Sequence, residues 1–156
     1  MHDDVYAELT AYFQAKAIPY REIHHDPGAA TEDYHQALGC RYEQQAKCLF
    51  LKVKQSGGAF SYAICTIQAQ KRADLKRIAE LLNAKEVKMG TQEALYEVTG
   101  CHFGELPPAA SMFGLPLLMD ADFFKEDEIF LNAGRVDISF VIQAEDLRRL
   151  ENPTLF

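Results

Sequence analysis

The sequence predicts an α+β fold: a mixed, largely antiparallel, curved sheet flanked by helices. Three observations predict it. Helical and strand-like segments follow one another in mixed order, without the regular alternation of a doubly wound sheet. Two apolar runs, 46–54 and 59–68, are joined by Gln55-Ser56-Gly57-Gly58, a hairpin connection. The chain of 156 residues, 48% hydrophobic and 25% charged, suits one well-packed domain over 1–156. No repeat, low-complexity stretch or linker divides it.

The elements follow in order. Residues 4–16 form a helix, with Val5, Leu9, Tyr12 and Phe13 on one face. Pro19 ends it, Tyr20–His25 is a short strand, and Asp26-Pro27-Gly28 is a turn. Thr31 caps a helix over 32–38, with Glu32 and Asp33 at its positive end and Gly39 as its stop. After the 46–54/59–68 hairpin comes an amphipathic helix over 73–83, with Leu75, Ile78, Ala79 and Leu82 inward. A strand at 86–89 leads to a helix over 92–98 capped by Thr91. Gly100–Gly114 is a loop rich in Gly and Pro. Strands follow at 115–119, 128–133 and 136–142, and a helix covers 144–151.

Composition removes several classes of function. No apolar stretch approaches the roughly 18 residues of a membrane span. Met1-His2-Asp3-Asp4 lacks the basic and apolar regions of a signal peptide, so a cytoplasmic protein is expected. Cys40, Cys48, Cys65 and Cys101 show no CxxC spacing and read as buried free thiols. His24 and His25 point to opposite faces of a strand and cannot chelate together, so one exposed and one half-buried imidazole is expected. Nothing calls for a metal or a cofactor. No GxSxG, HExxH, Walker A or GxGxxG pattern is present.

Two features stand out as chemistry. Alternation along 46–54 puts Lys47 on the same side as Leu49, Leu51 and Val53, which seek the core. An ammonium there either snorkels to solvent or meets an anion in a cleft. The loop Gly104-Glu105-Leu106-Pro107-Pro108 is either a plain connection or a stiff array of backbone groups open to a small substrate.

The order of these pieces resembles a known family. They are Ile18-Pro19-Tyr20, His24 and Thr31; Gln45-Ala46-Lys47-Cys48-Leu49; Asp74-Leu75-Lys76; Thr99-Gly100 with Gly104–Pro108; Leu115-Pro116 and Asp120; and Asn132-Ala133-Gly134. Over about residues 4–151 the chain resembles the YbaK/prolyl-tRNA synthetase-associated domain family of aminoacyl-tRNA deacylases and editing domains. It departs from that pattern at Cys48, where Thr is common, at Ala109-Ala110, and at Arg135-Val136-Asp137.

The resemblance implies a trans-editing hydrolase that cleaves the ester between a wrong amino acid (such as Ala, Ser or Cys) and the tRNA 3′ adenosine. It implies catalytic roles for Lys47 and Gly104. It implies a substrate pocket drawn from Tyr20, His24, Thr31, Cys48, Glu105, Leu106, Pro107, Pro108, Asn132, Gly134 and Asp137. The implied partner is the acceptor end of mischarged tRNA, with an aminoacyl-tRNA synthetase as a second candidate. The alternative is a non-catalytic module that binds an aminoacyl or nucleotide group.

Charge is compatible with a small RNA footprint. The net charge is −7, yet residues 41–90 hold ten basic and four acidic residues, a local excess of +6. Such a patch permits modest, salt-sensitive contact with a tRNA end.

Overall fold

The structure, a computed structural model, describes residues 2–28 and 30–156. Five α-helices run over Val5–Ala15 (α1), Thr31–Leu38 (α2), Leu75–Leu81 (α3), Gln92–Thr99 (α4) and Ala144–Glu151 (α5). Eight strands run over Arg21–His24 (β1), Ala46–Lys54 (β2), Phe60–Gln68 (β3), Glu86–Met89 (β4), Leu117–Met119 (β5), Glu128–Arg135 (β6), Ile138–Gln143 (β7) and Thr154–Leu155 (β8). The α+β class holds. The strands divide into two sheets, β1-β7-β6 and β4-β2-β3-β5-β8. All pairings are antiparallel except β3–β5 and β5–β8. A parallel bridge between Gln45 and Phe130 joins the sheets at the start of β2.

Strand β2 is covered on both faces. Leu51 and Val53 pack with Ala63, Cys65 and Ile67 of β3 against Ile78 and Ala79 of α3. Phe50, on the other face, packs with Ile64, Leu95 of α4, Cys101 and Leu106. A separate core forms where Leu9 and Phe13 of α1 meet Ile129 and Leu131 of β6 and Ile138, Phe140 and Ile142 of β7. Each fully buried Leu, Ile or Phe contributes about 1.5–3 kcal/mol, which makes these contacts the main source of stability.

Several boundaries differ from the sequence expectation, each for a local reason. Thr31 is the first residue of α2 and not its cap; Ala30 precedes the helix, and its N–H donates to Asp33 Oδ2 at 3.3 Å. α3 spans only Leu75–Leu81, because Asp74 caps it through the Arg77 N–H and Asn83 turns left-handed after it. β5 starts at Leu117, since Pro116 has no N–H to add to a ladder; its carbonyl instead accepts from Ile64 N at 3.0 Å. β7 starts at Ile138, because Val136 and Asp137 form the tight turn after Arg135. Within β7, Ser139 and Val141 are buried along with Ile138, Phe140 and Ile142, so both faces of this strand are covered. The 3₁₀ turns Tyr42–Gln44 and Ala121–Lys125 and strand β8 carried no sequence signal strong enough to be read.

No helix among the described residues is long and apolar enough to cross a membrane. The four cysteines are free, with Cys40, Cys65 and Cys101 buried and Cys48 half-buried.

Candidate active site

A cavity of about 380 Å³ opens where the two sheets meet. Its walls come from four places. The start of α2 gives Ala30, Thr31 and Tyr34; the lead into β2 gives Gln45, Ala46, Lys47 and Cys48; the loop after α4 gives Phe103, Gly104 and Leu106; β6 gives Asn132. The β2 ladder dictates which side chains arrive here. Lys47 pairs with Ile67 and Cys48 with Thr66, so their side chains leave the sheet on opposite faces while both border the cavity at the strand end.

The Lys47 ammonium donates to the Lys71 carbonyl at 3.1 Å. No carboxylate among the described residues pairs with it, and a carbonyl occupies one of its three donors. Partial burial, with the nearby Arg72 charge, holds its pKa below the ordinary lysine value. The Lys71 side chain is itself clamped: its Nζ lies 2.7 Å from both Asp120 Oδ2 and Asp122 Oδ2. Burial disfavours the Lys71 charge, but the two carboxylates outweigh it and raise its pKa. Asp120 is buried, and its other oxygen accepts from Asp122 N at 3.0 Å.

Gly104 sits at φ +88°, a conformation that suits a residue without Cβ. Its carbonyl accepts a hydrogen bond from the Tyr34 hydroxyl at 2.5 Å. Tyr34 is buried, and burial, then the Glu105 charge, raises its pKa, so the hydroxyl stays protonated and donates. The His25 ring meets Tyr34 edge-on at 5.5 Å, and His25 Nε2 lies 2.9 Å from Ser139 Oγ. The loop is also pinned from β6, where Gly134 N donates to the Glu105 carbonyl at 2.9 Å.

Of the residues singled out from the sequence, Lys47, Gly104, Thr31, Cys48, Leu106 and Asn132 line the cavity. The others lie elsewhere. Tyr20 stacks on Phe140 with ring centroids 4.5 Å apart. His24 is exposed and pairs with Glu22 Oε2 at 3.0 Å, while His25 is half-buried. Glu105 turns back on its own loop, accepting from His102 N at 2.6 Å. Pro107 and Pro108, at the end of the loop, are buried. Gly134 packs on Val5 and Tyr6. Asp137 pairs with Arg135 Nε at 3.0 Å.

The sequence reading missed Ala30, Tyr34, Gln45, Ala46 and Phe103 as lining residues. Gln45 and Ala46 were signalled by their place beside Lys47. Tyr34 and Phe103 were not, because their approach depends on how α2 and the loop fold onto β2. The Cys48 Sγ lies 3.3 Å from Thr66 Oγ1. Burial pushes its thiol up to about 12, so it is protonated at neutral pH and unsuited to act as a thiolate.

Among the described residues the lining has no carboxylate and no imidazole; its one charged group is an ammonium with spare donors, and a braced backbone loop borders the same cavity. That is equipment for holding and polarising an oxygen-rich substrate, not for a Ser–His–Asp relay. The chain belongs to the family of aminoacyl-tRNA editing domains, which matches it over residues 25–150.

Relatives agree with that placement. The chain is 29% identical over 148 residues to the Multifunctional Ser/Thr-tRNA deacylase ProXp-y of Escherichia coli (strain K12), covering 94% of this chain and 88% of that one. The Escherichia coli O157:H7 protein of the same name matches equally. Among solved structures, a proposed trans-editing enzyme for prolyl tRNA synthetase superposes with a TM-score of 0.80 at 19% identity, covering 97% of this chain and 94% of that one. The hypothetical protein APE2540 superposes with a TM-score of 0.82 at 16% identity, covering 95% and 96%. These two likenesses establish the shared fold.

Proposed function

We propose that this pocket takes the 3′ aminoacyl end of a mischarged tRNA and hydrolyses the ester, with Lys47 and the Gly104 loop as the working parts. The protein is an aminoacyl-tRNA deacylase acting in trans. The observation that carries the site assignment is Lys47: a half-buried ammonium on the cavity wall whose partner is a single carbonyl. Its free donors suit phosphate, hydroxyl or ester oxygens of the terminal adenosine. Backbone groups of the Gly104 loop stabilise charge that develops on the ester carbonyl. An aminoacyl ester is already activated, so positioning and electrostatic stabilisation suffice without a covalent nucleophile.

The relatives named Ser/Thr-tRNA deacylases support seryl and threonyl esters as substrates. Aminoacyl-tRNA synthetases make such esters, so one of them is the candidate protein partner, and the cytoplasm, where charged tRNA is used, is the proposed place of work. The experiment is deacylation of Ala-, Ser-, Thr- and Cys-charged tRNA by wild type and Lys47→Ala. We expect wild-type turnover of at least one ester and loss of about 10²-fold or more in the variant with the fold retained. Undiminished turnover by Lys47→Ala removes Lys47 from the mechanism.

A further inference from the structure

Phe103 is a large apolar side chain left half in water, and the hydrolytic reading gives it no task. It is 52% exposed and lines the cavity. The other exposed large apolar residues, Phe60, Leu81, Met89 and Tyr96, are not in that lining. Phe60 lies under the Lys52 ammonium, 4.2 Å from its ring centroid, and Tyr96 stacks with His102 at 5.1 Å. The Phe103 ring has no aromatic or cationic partner among the described residues. Its backbone is fastened on every side. The Phe103 N–H donates to Gln92 Oε1 at 3.1 Å, and the His102 N–H donates to Glu105 Oε1 at 2.6 Å. The Gly104 carbonyl accepts from the Tyr34 hydroxyl. Three consecutive residues are thus held, so the ring is presented by a braced loop, and binding against it costs little ordering.

We propose that Phe103 is the platform on which the terminal adenine of the tRNA stacks. This rests on the deacylase reading. The base hangs from the same ribose that carries the ester. With the ester in the cavity lined by Lys47 and Gly104, the adenine is one sugar ring away, at the mouth where Phe103 stands beside Gly104. A base plane against a phenyl face removes apolar surface of both from water and needs no donor or acceptor. Stacking tolerates any base, and that suits this position, because every tRNA ends in the same adenosine: the base has to be held and not read. The amino acid is the other group that could cover the ring. Seryl and threonyl side chains are small and polar, so they do not account for an exposed phenyl here. Held by its base, the nucleoside brings the ester into the cavity in a narrow range of orientations, which is a positioning contribution to the rate.

The test is a cycle between the ring and the base. Wild type, Phe103→Leu and Phe103→Trp are compared on two RNAs with seryl 3′ ends, one finishing in adenosine and one in a ribose without its base. The readouts are kcat/KM for the esters and Kd for the matching stable 3′-amides. Wild type is expected to lose about tenfold or more when the base is removed. Phe103→Leu is expected to lose about as much on the adenosine end and nothing further on the baseless one, while Phe103→Trp stays within a few-fold of wild type. Losses that simply multiply, or a Phe103→Leu variant that binds and cleaves the adenosine end as wild type does, overturn the proposal. A change in the ratio of seryl to alanyl ester turnover in Phe103→Leu assigns the ring to the amino acid and overturns it as well. If the variants unfold, as read by thermal unfolding, wild type alone decides: equal Kd for the two amides overturns the stack. Absence of wild-type turnover on every ester overturns the deacylase reading itself, whereas turnover without coupling between ring and base overturns only the role of Phe103.

Discussion

The ammonium of Lys47 is held 3.1 Å from the carbonyl of Lys71, a residue 24 positions further along the chain. The side chain of Lys71 points the other way, into Asp120 and Asp122. The turn that ends β3 therefore joins the site lysine to a charge cluster at the end of β5.

Replacing Lys71 with Met removes that anchor. We expect turnover to fall several-fold as the Lys71 carbonyl, and with it Lys47, loses its fixed position. The cost to stability is about 1–3 kcal/mol: Lys71 is 42% exposed, but the buried Asp120 carboxylate loses its cation. Lys71→Arg is expected to restore activity largely. Urea unfolding and kcat measured together separate loss of fold from loss of placement.

The alkaline limb of the pH profile reports Lys47. Its pKa lies below the ordinary lysine value of 10.5 through burial and the Arg72 charge. The cation is the form that anchors substrate oxygen, so activity is present below that pKa and is lost as pH rises through it. We expect the decline to begin at a lower pH than for an unperturbed lysine, after subtraction of spontaneous ester hydrolysis. Arg72→Ala is expected to move the limb to higher pH, because a repelling charge is gone. A limb that stays in place would assign the titration to another group.

Tyr34→Phe keeps the ring and deletes the donor to the Gly104 carbonyl. We expect a destabilisation of about 1–3 kcal/mol, because that carbonyl loses its partner. Turnover should fall with it, since the loop is no longer braced from α2. Thermal unfolding and kcat on one seryl-tRNA check both. Gly104→Val acts on the same loop more severely: at φ +88° a β-branched side chain is strained, and the pocket wall must shift.

Cys48 tests the thiol alternatives. With its thiol pushed up to about 12, little thiolate exists at neutral pH. We expect iodoacetamide at pH 7 to label it slowly and Cys48→Ala to keep turnover within a few-fold of wild type. Loss of all activity in Cys48→Ala would point to covalent catalysis.

How much of this was legible beforehand depended on the range of each interaction. The face on which Lys47 sits followed from period-two alternation with Leu49, Leu51 and Val53, and β2 confirms that alternation in its register with β3. The cap at Thr91 is a local side chain-to-backbone bond and could be read from a few residues. Thr31 has a cap's side chain but is the first residue of α2; Asp33 accepts from the Ala30 N–H, and the Thr31 carbonyl accepts from the distant Gln45.

The α+β class, the order of the five α-helices and the first seven strands, and the residues of β2 that face either side are properties of the sequence alone. These follow from hydrophobic period and turn chemistry, which act over a handful of positions. The tertiary structure alone decided that Tyr34, Gln45 and Phe103 share a cavity with Lys47, and that Tyr20, His24 and Asp137 do not. The reason is physical: the site lies where two sheets meet, and the bridge between Gln45 and Phe130 that joins them spans just over half of the chain, beyond the reach of any local pattern.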